Sequence, residues 1–308
     1  MNSFLTGING FIGYFLSSYL LEQGDQVSGL DQKRNPSTNR KVEQLSGNLL
    51  DEKLIERVIK QISPDRIFHL AAQSNITYSF SNPQETMAIN IGGTLNLLET
   101  IRKLKKVVTF VSFGSSAEYG KSAGDGKPIA ESVKLEPSNP YGVSKMAQGQ
   151  LVRIYHEAYN LQTVHIRPFA IIGPGKEGDA VSDFARGIVA IERGKKKELL
   201  VGNLSHVRDF LDVRDAARAI EMVSKAETDY SVYNICSGTG RKLEDLLNEM
   251  IRMSSAKVVV KMDPEKSRPA DDPIIVGNPD RLFSLGFKQN YKIEQTLNDI
   301  LNYWRQIS

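Results

Sequence analysis

The stretch Asn2-Ser-Phe-Leu-Thr-Gly7-Ile-Asn-Gly10-Phe-Ile-Gly13 decides how the rest of the chain is read. A short apolar run, 2–6, enters a turn with glycine at every third position, and a helical pattern follows. That is a strand, a tight turn and the start of a helix. Gly7 permits the turn, Gly10 lets backbone amides approach a pyrophosphate, and Gly13 lets helix and strand pack closely. The helix N-terminus adds partial positive charge. Asn9, Phe11 and Ile12 lie between the glycines and border the same turn. Asp31 follows the second strand, 26–30, eighteen residues past Gly13. A carboxylate there accepts hydrogen bonds from adenosine ribose hydroxyls and repels a 2′-phosphate. The expectation is a dinucleotide site preferring NAD(H), with NADP(H) admitted through the neighbouring Lys33 and Arg34.

Downstream, helical patterns over 51–63, 84–105 and 141–160 alternate with strand runs at 66–71, 106–113 and 162–167. This repetition builds a parallel sheet with helices on both faces. Beyond Arg167 the rhythm weakens into helices at 183–193 and 243–253, a glycine-rich loop at 173–179 and a proline-bounded loop at 267–273. The expected fold class is α/β: a doubly wound (Rossmann) parallel sheet with a smaller C-terminal α/β substrate-binding lobe. The NAD(P)-binding domain should span 1–168, with 208–230 returning to it. The lobe should comprise 169–207 and 231–308.

Composition sets bounds. The chain has 308 residues, 40% apolar and 24% charged, as in ordinary globular proteins. No apolar run approaches the ~20 residues of a membrane helix. The N-terminus lacks a basic region followed by a long apolar stretch, so no signal peptide is expected. A single cysteine, Cys236, leaves no intrachain disulfide, which fits a cytoplasmic location. Four scattered histidines form no metal-ligand cluster, and no metal is expected. A net charge of +3 does not argue for nucleic acid and suits a small anionic substrate.

Two further motifs carry chemistry. Tyr141-Gly-Val-Ser-Lys145 opens a helical pattern, and its i, i+4 spacing puts phenol and ammonium on one face. The cation should draw the tyrosine pKa down toward the working pH. Upstream, Ser112-Phe-Gly-Ser115-Ser116-Ala-Glu118-Tyr-Gly120 ends a strand. A hydroxyl at that edge can donate to a substrate carbonyl.

Taken in order, TGINGFIG, GNLLD (47–51), HLAAQS (69–74), NIGGTLNLLE (90–99), SSAEYG, PYGVSK, RPFAIIGPG (167–175), GNLSHVRDFLDVRD (202–215), YNICSG and SRPADDP resemble the extended short-chain dehydrogenases/reductases over nearly the whole chain. Within that family the chain is similar to the GDP-4-keto-6-deoxymannose reductases. The resemblance implies a catalytic set of Ser115, Tyr141 and Lys145. It also implies that Asn48 and Leu49 border the adenine, that Leu70, Ala71, Ala72 and Asn90 line the cofactor, and that Pro168 sits near the nicotinamide. Ser74, Ser115 and Ser116 would meet the sugar, Arg208 and Arg268 the diphosphate, and Asp271 the nucleotide ribose. The implied partners are a nucleotide-diphosphate sugar and a second copy of the chain, joined through helices 84–105 and 141–160; no membrane or nucleic acid is implied.

Two departures bear on the reaction. The family's dehydratases carry Glu two places after the catalytic hydroxyl residue, where this chain has Ala117; Glu118 is one place late. Ala170 replaces an Asn common in the family. The expected activity is NAD(P)H-dependent reduction of a keto group, at C4 of a GDP-linked keto-deoxy sugar. The alternatives are a nucleotide-sugar 4-epimerase with tightly held NAD, and a non-catalytic NAD- or nucleotide-sugar-binding regulator.

Overall fold

The computed structural model describes residues 1–36, 38–104, 106–123, 126–226, 231–266 and 273–307. In chain order, β1 (Asn2–Thr6), α1 (Phe11–Glu22), β2 (Gln26–Asp31), β3 (Glu43–Ser46), α2 (Glu52–Ile62) and β4 (Arg66–His69) come first. Then follow α3 (Ile76–Ser81), α4 (Pro83–Met87), α5 (Gly93–Leu104), β5 (Thr109–Phe113), α6 (Pro140–Tyr159), β6 (Thr163–Pro168), β7 (Ala170–Ile172), α7 (Ala180–Glu192), β8 (Glu198–Val201), β9 (Val207–Asp212), α8 (Val213–Val223) and β10 (Ser231–Ile235). The C-terminal part holds β11 (Gly240–Lys242), α9 (Leu243–Arg252), β12 (Val259–Met262), β13 (Ile274–Ile275), α10 (Asp280–Ser284) and α11 (Ile293–Ile307).

Seven parallel strands stand in the order β3-β2-β1-β4-β5-β6-β10. The order reverses direction between β1 and β4, and such a switch point opens a crevice at the strand C-terminal ends. On one face Leu16 and Leu20 of α1 pack with Ala216 and Ile220 of α8. On the other, Ile55 of α2, Leu97 and Leu98 of α5 and Val152 of α6 cover Phe4, Ile67 and Phe110. The sheet is thus buried on both faces, as a parallel sheet requires.

Local chemistry sets the helix ends. Asp51 accepts from Leu54 N at 3.0 Å to start α2. Asn139 accepts from Gly142 N at 2.8 Å ahead of Pro140, and Asn160 closes α6 in the left-handed region. These are ordinary cap chemistries.

Two expectations need correction. The segment 84–105 is not one regular helix: residues Ala88–Gly92 form a π-turn between α4 and α5, and Lys105 lies outside the described residues. The domain division also shifts. β10 pairs with β6 in the large sheet and not in the lobe expected for 231 onward. β9, assigned from Arg208 onward to the first domain, joins β7, β11 and β13 in the lobe's own sheet. Long-range strand pairing decides both assignments, and it leaves no local mark. The lobe's core is built by Phe184 and Ile188 of α7, Leu247 of α9 and Leu301 and Trp304 of α11.

Candidate functional site

A cleft of about 910 Å³ opens at the switch point. The β1–α1 turn forms one wall. Gly7 has φ +73°, and a Cβ there would lie 2.8 Å from Ala71 N. A Cβ on Gly13 would lie 2.3 Å from Gly7 O. Backbone atoms cannot yield at such distances, so both positions exclude side chains. Helix α1 begins after Gly10 with no side-chain cap and no acid in its first turn. Among the described residues no side chain caps its N-terminal amides, which is the arrangement a phosphate takes.

Asp31 closes the far end. Its Oδ2 accepts from Asn9 N at 3.1 Å and its Oδ1 from Gln32 N at 2.8 Å. Asn9 donates onward to Lys33 O at 2.6 Å. The carboxylate is thereby fixed beside Asn48 and Leu49 at the cleft wall. The cradle fits a dinucleotide: a glycine turn, an uncapped helix start and a terminal carboxylate in line.

The opposite end holds the reactive set. Ser115 begins a 3-10 turn and its Oγ accepts from Ala117 N at 3.2 Å. A Cβ on Gly142 would stand 2.5 Å from Ala117 O, so α6 seats directly against this turn. Ser79 Oγ accepts from Tyr141 N at 3.2 Å, which fixes the helix start from α3. Tyr141 is almost wholly buried; burial pushes its phenol up to about 12, partly offset by a hydrogen bond with the Ser115 side chain. The expected fall in its pKa is not met: desolvation, with the Glu118 charge, raises it. The Lys145 ammonium donates to Phe113 O at 2.7 Å and to Gln148 Oε1 at 3.0 Å. Burial brings Lys145 down to about 8. A lysine has three donors, and Lys145 itself lines the cleft.

Glu118 lies behind this set, outside the cleft lining. It is fully buried, with Oε2 accepting from Arg167 Nε at 2.9 Å and Oε1 3.0 Å from His165 Nε2. Burial opposes its ionisation, but His165 and Arg167 hold it below the usual carboxylate range.

The cleft lining brings together Gly7, Asn9, Gly10, Phe11, Ile12, Gly13, Asp31, Asn48, Leu49, Leu70, Ala71, Ala72, Ser74, Ser115, Tyr141, Lys145 and Pro168. Asn90 does not join them, and its expected place in the lining is corrected. It is fully buried, its Nδ2 donating to Gln73 O at 3.0 Å and Ser144 Oγ at 2.8 Å. The π-turn carries it behind the wall, where it braces the end of β4 against α6. Ser116 is half-buried and also lies outside the lining. Arg208 stands on β9, Nη1 donating to Val207 O at 2.9 Å, likewise outside the lining. Arg268 and Asp271 lie outside the described residues. Reading the sequence missed Ser79, whose partner Tyr141 is distant in the chain, Gln148, which joins Lys145 on its own helix to the remote Ser112, and Lys176, which reaches the lining from the 173–179 loop. It also missed Arg241, which faces Arg208 in register across β11 and β9; the sequence shows no signal for that pairing.

The chain matches the GDP-mannose 4,6 dehydratase family over residues 4–300. It is 32% identical over 305 residues to GDP-6-deoxy-D-mannose reductase of Pseudomonas aeruginosa, covering 98% of this chain and 96% of that one. It is similar to the structure of RMD from Pseudomonas aeruginosa complexed with NADPH, with TM-score 0.86 and 29% identity over 99% of both chains. It is also similar to the UDP-glucose 4-epimerase of Thermus thermophilus in complex with NAD, with TM-score 0.90 and 25% identity over 100% of both chains.

Proposed function

The chain belongs to the extended short-chain dehydrogenase/reductase family, and we propose that it reduces the C4 keto group of a GDP-linked keto-deoxy sugar. The observation that carries this reading is the placement of Ser115, Tyr141 and Lys145 along one dinucleotide cleft while Glu118 is locked outside it. Elimination of water needs an acid/base beside the hydroxyl residue. At that position the chain has Ala117, and its neighbouring carboxylate is committed to Arg167 and His165.

The turn around Gly7, Gly10 and Gly13 and the start of α1 would hold the cofactor's diphosphate, and Asp31 its adenosine ribose. When bound, the reduced nicotinamide supplies hydride. Ser115 donates to the keto oxygen and polarises it. Tyr141 stays protonated in the buried site and passes its phenolic proton to the alkoxide that forms. Lys145 orients the cofactor ribose and stabilises the resulting phenolate. Asp31 favours NADH. The solved relatives carry NADPH and NAD respectively, so both cofactors belong in the assay.

Arg208 and Arg241 support a diphosphate in the substrate. They stand opposite each other in register across β9 and β11, and guanidinium forks suit diphosphate oxygens. Arg268 and Asp271, implied for the diphosphate and ribose, remain part of this reading.

We further propose a cytoplasmic homodimer. The exposed apolar residues Leu95 on α5 and Val143, Ile154 and Tyr159 on α6 support pairing through these helices. Sedimentation as a monomer would refute it. The test of function is turnover: loss of reduced-nicotinamide absorbance in proportion to a GDP-4-keto-6-deoxy sugar. Epimerisation of a GDP-hexose with the cofactor retained would favour the 4-epimerase instead.

A further inference from the structure

We propose that Glu118 is a positioning residue serving both ends of the catalytic set: it fixes Ser115 directly and sustains the Lys145 ammonium through a buried relay of His165, Ser112 and Gln148. The inference rests on the reduction reading above. Glu118 Oε1 accepts from Ser115 N at 2.9 Å, and Ser115 Oγ in turn accepts from Ala117 N, so the turn is held from both sides. From the same carboxylate the relay runs the other way. His165 Nε2 lies 3.0 Å from Glu118 Oε1, and His165 Nδ1 lies 3.2 Å from Ser112 Oγ. Gln148 Nε2 donates to Ser112 Oγ at 2.9 Å, and Lys145 donates to Gln148 Oε1 at 3.0 Å. Ser112, Glu118, Gln148 and His165 are wholly buried.

The relay has no slack. A Cβ on Gly114 would lie 2.0 Å from Glu118 Oε1, and one on Gly149 would lie 2.8 Å from His165 Nε2. Both backbones close on the relay, so its side chains cannot reorient cheaply.

The charge balance explains why a carboxylate stands here. The Lys145 acceptors Phe113 O and Gln148 Oε1 are neutral, and burial disfavours an ammonium with neutral partners. Glu118 opposes that effect. The groups facing Glu118 are His165 and Arg167 from β6, Tyr119 from its own turn, and Tyr141 and Lys145 from α6. His69 on β4 also feels the Lys145 charge. Removing the Glu118 charge therefore favours deprotonation of Lys145, and of Tyr141 as well, since the same carboxylate holds that phenol up.

The test is Glu118→Gln, which keeps an acceptor oxygen for Ser115 N. Two pH profiles are measured against wild type: turnover, and NADH affinity followed by fluorescence without sugar. In both, the alkaline limb should move down by about one pH unit, whatever the height of the plateau. A plateau lowered at every pH with the limb unmoved would overturn the proposal and leave Glu118 a support of the turn. If the variant does not fold, Arg167→Met gives the reciprocal test. Freeing the Glu118 charge should move the limb up, and an unmoved limb overturns the proposal. Wild-type turnover tests the reduction reading separately, and the NADH arm tests Glu118 without it.

Discussion

Lys145 Nζ donates to Phe113 O at 2.7 Å, tying the second turn of α6 to the last residue of β5. The bond fixes the ammonium where the strand ends and the cleft begins. Lys145→Met keeps the buried stem and removes all three donors. Turnover should fall at least ~10²-fold, and NADH should bind more weakly in a fluorescence titration. Weak binding with unchanged turnover would place Lys145 in cofactor binding alone.

Tyr141→Phe removes the proton donor while preserving the ring. Turnover should fall about 10²–10⁴-fold, with NADH affinity nearly unchanged. The wild-type pH profile has a defined sign. Lys145 loses its proton near 8, whereas Tyr141 keeps its own until about 12. Turnover should therefore decline as pH rises through about 8, and a rise across that range would contradict the assignment.

Asp31 sets cofactor choice by charge. Asp31→Asn removes the repulsion of a 2′-phosphate but keeps hydrogen-bonding capacity. The ratio of NADPH to NADH affinity should rise about tenfold. Paired titrations of the two cofactors check it, and an unchanged ratio would assign selectivity elsewhere.

His69 makes stability depend on acid. It is fully buried between Thr6 and Thr94, and burial, then the Lys145 charge, lowers it to about 3. The unfolded chain takes up a proton at an ordinary histidine pKa of 6.5, which the folded chain refuses. Stability is complete above 6.5 and declines as pH falls from there toward about 3, by up to ~1 kcal/mol per pH unit. His69→Asn should flatten the dependence of the thermal midpoint on pH over that window.

Much of the site is legible because covalent spacing fixes it. Gly7 and Gly13 are forced by backbone contact, and Tyr141 and Lys145 are one helical turn apart whatever surrounds them. Asp31 is likewise placed by the end of β2. Residues whose role depends on irregular backbone are not legible. Asn90, which the resemblance implies in the cofactor lining, sits behind the wall on a π-turn that no local sequence pattern marks. The short α3, which carries Ser79, lacks a helical stripe and is marked only by its Asn75 cap. β9 and β10 exchange domains because their partners, β7 and β6, are remote in sequence. Glu118 could be read as displaced from the dehydratase position, but its pairing with His165 and Arg167 emerges only when β6 is in place.

The most direct test mixes the purified protein with reduced nicotinamide cofactor and a GDP-4-keto-6-deoxy sugar and follows the cofactor absorbance. The account predicts its loss in step with the sugar consumed, one cofactor per sugar, faster with NADH than with NADPH. An unchanged absorbance, with a GDP-hexose converted to its 4-epimer and NAD still bound to the protein, would contradict it.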